Sequence, residues 1–111
     1  MHINFSNEKG KLYAKIVGEI DHHSAVEIKD SVDSKVICEG ISTLVFDLTE
    51  LAFMDSSGIG AIIGRYKLMK SLGGQMYIIS SNKSVDKLLT LSGITEIISV
   101  VSEAEEIEKL A

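Results

Sequence analysis

Two short stretches hold the side chains that could do chemistry. In FMDSSGIG (53–60), Asp55 is followed by Ser56 and Ser57, and in GEIDHH (18–23), Asp21 is followed by His22 and His23. A serine, a histidine and a carboxylate are the parts of nucleophilic acyl transfer. The nucleophile elbow of hydrolases, however, needs glycine two residues before the serine. Met54 holds that place for Ser56, and Asp55 holds it for Ser57. The motif fails for both serines, and no oxyanion hole is legible. His22 and His23 read more simply as polar residues ahead of a helix.

Two other chemistries fit no better. Gly58, Gly60 and Gly64 are spaced G-x-G-x-x-x-G, one residue too long for the dinucleotide fingerprint. Gly60 and Gly64, four apart on a helix, are read instead as a packing feature that lets a neighbouring backbone come close. No G-K-[ST] phosphate loop exists. His2, His22 and His23 do not reach a metal-ligand spacing with any carboxylate, so neither a metal nor a cofactor is expected. Ser56 and Ser57 then remain either helix caps, a role in which serine is favoured, or targets of another protein. Gly58 and Gly60 leave the first helical turn nearly bare at some cost in stability. A serine there is open to a partner's active site, and a helix N-terminus tolerates a phosphate.

The elements that position these stretches follow from periodicity. Residues 2–6 alternate, with Ile3 and Phe5 on one side, and a turn at Asn7–Gly10 leads to a second strand over 12–17. GEIDHH is expected as a polar loop. Ser24 and Glu27 match a capping box, and Ala25, Ile28, Val32 and Val36 follow at helical spacing up to Gly40. Residues 43–48 (TLVFDL) read as a central strand buried on both faces. After MDSSG, Ile59, Ile62, Ile63, Tyr66 and Met69 mark a second helix that stops at Gly73–Gly74. A strand over 75–80, a third helix capped by Ser81, a strand over 97–101 and a short helix capped by Ser102 with Glu105 complete the chain. The order β-β-α-β-α-β-α-β-α predicts one α/β domain over 1–111, with a mixed sheet of four to five strands and about four helices. In such sheets function gathers beyond the carboxyl ends of strands. GEIDHH and MDSSG both lie there.

Composition narrows the partners. Eleven basic against sixteen acidic residues give a net charge of −5, which argues against nucleic acid and anionic membrane surfaces. Cys38 is the one cysteine, so no internal disulfide forms and a reducing compartment fits. Neither a signal-peptide core nor a run of about 20 apolar residues is present. A cytoplasmic protein, monomeric when free, is expected.

Read together, GEIDHHSA, LVFDLTELAFMDSSGIGAIIGRYKLMKSLGG and LLTLSGI resemble the STAS domain family over essentially the whole chain, and within it the anti-sigma factor antagonists. The resemblance implies a regulator without enzymatic activity. Its partner would be an anti-sigma factor that is also a GHKL-type serine kinase. Binding by the unmodified antagonist would free the sigma factor, phosphorylation would end the association, and a metal-dependent serine phosphatase would reverse it. By position the resemblance maps the phosphorylated serine onto Ser56 and places Asp21 beside it. Asp55, Ser57, Gly58, Ile59 and Gly60 would share the docking surface. Control of a stress-response anti-sigma factor, or nucleotide sensing, are the alternatives it implies.

Overall fold

The computed structural model describes residues 1–110. Strand β1 (His2–Glu8) pairs antiparallel with β2 (Lys11–Ile20). Lys9 and Gly10 both take positive φ, +56° and +86°, the type I′ turn whose twist suits a two-residue hairpin. Gly10 supplies one of those angles without strain, and Asn7 Oδ1 accepts the Gly10 amide at 3.0 Å.

Four further strands run parallel to β2 or to one another. They are β3 (Thr43–Asp47), β4 (Leu51–Met54), β5 (Gln75–Ile79) and β6 (Ser99–Val101), in the order β1-β2-β3-β5-β6. Strand β4 was not anticipated from the sequence, and it makes the sheet six-stranded. β2 is long enough for its first half to pair β3 and its last three residues to pair β4, with a bulge between Gly18 and Glu19. Only Leu51 and Met54 of β4 are buried, while Ala52 and Phe53 are exposed. That pattern carries no period-two alternation, which is why periodicity missed the strand.

The helices are α1 (His22–Glu39), α2 (Ser56–Ser71), α3 (Lys83–Leu91) and α4 (Glu105–Leu110). Alternation along the strands divides the core. Leu12, Ala14, Ile16, Leu44, Phe46, Met76 and Ile78 form one face with Ile28, Val32 and Val36 of α1, Ile62 and Met69 of α2, and Val85 and Leu89 of α3. Val45, Tyr77, Ile79 and Val101 form the other face, closed by Ile107 of α4. β3 is buried on both faces, as expected of a central strand. The Gly40 stop of α1 is also found, in the left-handed conformation at φ +63°.

Several local expectations are corrected. The GEIDHH stretch is no loop: β2 runs through Ile20 and α1 starts at His22. α1 is capped by Asp21, with Ser24 at its third position, rather than by a Ser24–Glu27 box. Asn82 caps α3 in place of Ser81. The Ser102 hydroxyl donates to the Glu106 carboxylate at 2.9 Å instead of pairing with Glu105. The last strand is shortened to Ser99–Val101 by a 3-10 turn at Ile94–Glu96. Gly60 and Gly64 let no backbone approach, since a Cβ at either would meet nothing within 4 Å.

Candidate functional site

The parallel pairing of β2 and β4 builds the site. Ile20 and Met54 are register partners at the carboxyl ends of the two strands, so the next residues, Asp21 and Asp55, emerge side by side, about 5 Å apart in backbone. Each immediately caps a helix. The Asp55 amide reaches across to the Ile20 carbonyl at 3.4 Å. Two helix N-termini, each with positive dipole character, therefore open on one corner of the molecule.

At α1 the capping is reciprocal. The Asp21 carboxylate accepts the Ser24 amide at 2.9 Å, and Ser24 Oγ accepts the Asp21 amide at 2.7 Å. The Ser24 amide bond, then its hydroxyl bond, holds the Asp21 carboxyl below its ordinary value near 3.8, so the group stays ionised. At α2, Asp55 Oδ1 accepts the Ser57 amide at 2.8 Å.

This arrangement assigns the two serines. Asp55 takes the cap, so neither serine does. Ser56 is the first helical residue and is exposed, and its hydroxyl makes no hydrogen bond among the described residues. Ser57 is half-buried and faces the groove between α1 and α2 with His22 and Gly60. Ile59 is half-buried and Gly60 is exposed. Gly58 is buried: a Cβ there would lie 3.0 Å from both Cβ and Sδ of Met54 and 3.3 Å from Ile20 Cγ2. The glycine thus lets α2 start directly against the paired ends of β2 and β4. Asp21, Asp55, Ser56, Ser57 and Gly58–Gly60 are all brought to this corner.

The histidines do not complete a nucleophilic set. The rings of His22 and His23 meet edge to face with centroids 6.1 Å apart, and neither histidine hydrogen-bonds a serine of the 56–57 pair among the described residues.

Two features lay outside the sequence reading. Phe53, 56% exposed, and Leu91, 74% exposed, flank an apolar groove between β4 and α3, next to Asp55. The signal was an aromatic residue directly before MDSSG, but only the unrecognised β4 shows which way it points. The second is Arg65, a buried cation within α2. Its side chain is 7% exposed, and Nε lies 2.7 Å from Asp33 Oδ1 of α1, an ion pair whose angle falls outside hydrogen-bond geometry. It ties α2 to α1.

The comparisons with known proteins agree in kind. The family model described as STAS domain matches residues 3–107. A Paenibacillus polymyxa relative described as an anti-sigma F factor antagonist is 35% identical over 100 residues, 90% of this chain and 86% of the relative. A Listeria monocytogenes relative described as an anti-sigma-B factor antagonist is 29% identical over 85 residues, 77% of this chain and 74% of the relative. The solved structure of the Bacillus cell fate determinant SpoIIAA in the phosphorylated form has the same fold, with a TM-score of 0.77 at 22% identity over 99% of this chain and 100% of that chain.

Proposed function

The chain belongs to the STAS domain family, and from that premise we propose that it is an anti-sigma factor antagonist switched by phosphorylation of Ser56. The unmodified chain binds an anti-sigma factor of the GHKL serine-kinase type, and the sigma factor is released. The kinase transfers phosphate to Ser56 and the complex comes apart. A metal-dependent serine phosphatase regenerates the binding form. The protein itself is a substrate and a ligand, working in the cytoplasm without nucleic acid or cofactor, and catalyses nothing.

One observation carries the reading: Ser56 is exposed at the first position of α2 with an unengaged hydroxyl, because Asp55 already caps the helix. Phosphate adds about −1.5 to −2 charges at neutral pH. The fold tolerates them, since the positive dipole end of α2 faces the anion. The interface does not. Phosphate would join the carboxylates of Asp21 and Asp55 on a surface shaped to bind while carrying only those two. Like charge brought against a partner costs several kcal/mol, and about 3–4 kcal/mol lowers affinity by two to three powers of ten. Asp21, Ser57, Ile59 and Gly60 belong to the docking face, and exposed Phe53 supplies it with an apolar anchor of the type enriched at interface centres.

Incubation with the cognate kinase and ATP, followed by phosphopeptide mass spectrometry, tests the site. Ser56 is modified, Ser56→Ala still binds and resists modification, and Ser56→Asp binds poorly at near-native stability. Undiminished kinase binding by a fully phosphorylated sample refutes the switch, and modification of Ser57 refutes the residue assignment. Both sigma F and sigma B antagonists occur among the relatives, and identity does not separate them, at 35% and 25% for two of the sigma F type and 29% for one of the sigma B type. A pull-down with each anti-sigma factor separates the sporulation reading from the stress reading.

A further inference from the structure

The sheet ends in an open edge. β1 is its outermost strand and pairs with β2 alone among the described residues. In a hairpin with a two-residue turn, the residues that flank the turn, here Glu8 and Lys11, form a hydrogen-bonded pair. Alternation then turns the backbone of His2, Asn4 and Ser6 toward β2 as well. The N–H and C=O groups of Ile3, Phe5 and Asn7 face outward, and no turn, loop or cap bond engages them among the described residues.

Edges of this kind are usually blunted by Pro, Lys, a bulge or a covering element. β1 reads HINFSNE, without Pro or Lys, and its register on β2 runs from His2 to Glu8 without a bulge. α1 packs on β2 and meets β1 from the face of the sheet. Lys35 Nζ lies 5.2 Å from the centre of the Phe5 ring, and Asn7 Nδ2 donates to Glu39 at 2.9 Å. β6, at the other end of the sheet, is 3 residues long against 7 for β1, so β1 is the edge with length enough to pair.

The strand is also complementary to itself. Laid antiparallel on a second copy with every residue from His2 to Glu8 matched, it centres on Phe5. The outward groups of Phe5 then exchange bonds with those of the second Phe5, and those of Ile3 exchange with those of Asn7. Side chains on one face set His2 opposite Glu8 and Asn4 opposite Ser6, so no like charges meet. On the other face, Ile3 and Phe5, both partly buried at the rim of the core, gain a second apolar rim beside them. We propose that β1 pairs with β1 of a second copy of this chain, extending the sheet across a two-fold axis at Phe5. A concentration-dependent dimer thus replaces the monomer expected from the sequence. The contact makes no use of the Ser56 corner, and the proposal is independent of the switch.

Sedimentation equilibrium of the intact protein over a concentration series, read together with amide hydrogen exchange, tests it. The mean mass should rise toward that of two chains. Exchange at Ile3, Phe5 and Asn7 should slow in step, while the Asn4 and Ser6 amides, already bonded to β2, hold constant. His2→Glu sets a carboxylate against Glu8 at both ends of the paired strands and should weaken association severalfold. Adding Glu8→Lys to it should restore the parental affinity. Ile3→Pro removes one outward amide without touching a β1–β2 bond and should weaken association tenfold or more, with the thermal midpoints of all variants checked against the parent. A mass that stays at one chain, with outward amides exchanging at an unchanged rate, overturns the proposal. So does a dimer indifferent to both His2→Glu and Ile3→Pro, or protection of the outward amides by the anti-sigma factor in place of self-association.

Discussion

Gly58 and Gly60 sit two residues apart in the first turns of α2, yet a methyl group should act on them in opposite directions. At Gly60 a Cβ meets nothing within 4 Å, so Gly60→Ala gains the helix preference of alanine, about 0.8–1 kcal/mol. For a domain of this size that raises Tm by roughly 4 °C. At Gly58 the same methyl would lie 3.0 Å from Met54 Cβ and Sδ and 3.3 Å from Ile20 Cγ2, well inside the usual 3.5–4.0 Å carbon separation. Overpacking of this kind costs about 1–3 kcal/mol. Set against the same helix gain, Gly58→Ala should be neutral to about 2 kcal/mol destabilising. The two variants should therefore differ by about 1–3 kcal/mol in urea denaturation at unchanged m-value.

The pair also separates folding from docking. Gly60 is exposed on the proposed docking face, so Gly60→Ala should weaken kinase binding tenfold or more while raising Tm. A bare turn that costs stability is then explained by what must fit against it. Equal stabilisation by both substitutions would refute the close approach of α2 to Met54 and Ile20. Unchanged binding by the stabilised Gly60→Ala would place Gly60 outside the interface.

The other predictions concern the supports of the corner. Asp33→Ala leaves the buried Arg65 guanidinium without its ion partner and should destabilise the fold by about 2–3 kcal/mol, below the ~3–5 kcal/mol of a fully buried pair because Asp33 is partly exposed. Asp33→Asn combined with Arg65→Met should recover much of that loss in urea denaturation. The Asp21 carboxyl is held below its ordinary value, so its contribution is complete above about 3.8 and is lost as pH falls through the lowered value. Asp21→Asn should accordingly flatten the decline of Tm as pH falls below about 3.8, and an unchanged slope would contradict the capping bonds. Phe53→Ser, at a half-exposed edge position, should leave Tm within about 2 °C yet reduce kinase binding severalfold in a calorimetric titration.

The difference between what the sequence revealed and what it hid follows from how each feature is encoded. β3 and the stripe of α1 were legible because Leu44, Val45 and Phe46, and Ile28, Val32 and Val36, are buried by a local pattern. The caps were misplaced because Ser, Asp and Asn are nearly equal as N-cap residues, and strand pairing decides among them. β2 continues to Ile20 only because β4 is there to pair it, and that extension moves the start of α1 back to His22 and makes Asp21 the cap. The same pairing sets Asp55 beside Asp21 and gives it the cap of α2. It also frees the Ser56 hydroxyl, since a serine displaced from the cap position to the first helical position has no backbone amide of its own to satisfy. The position of Ser56 after the cap, on which its proposed role as a target rests, is thus a consequence of a four-residue strand. A substitution that unpairs β4 should let a serine take the cap and should blunt phosphorylation without touching the serine itself.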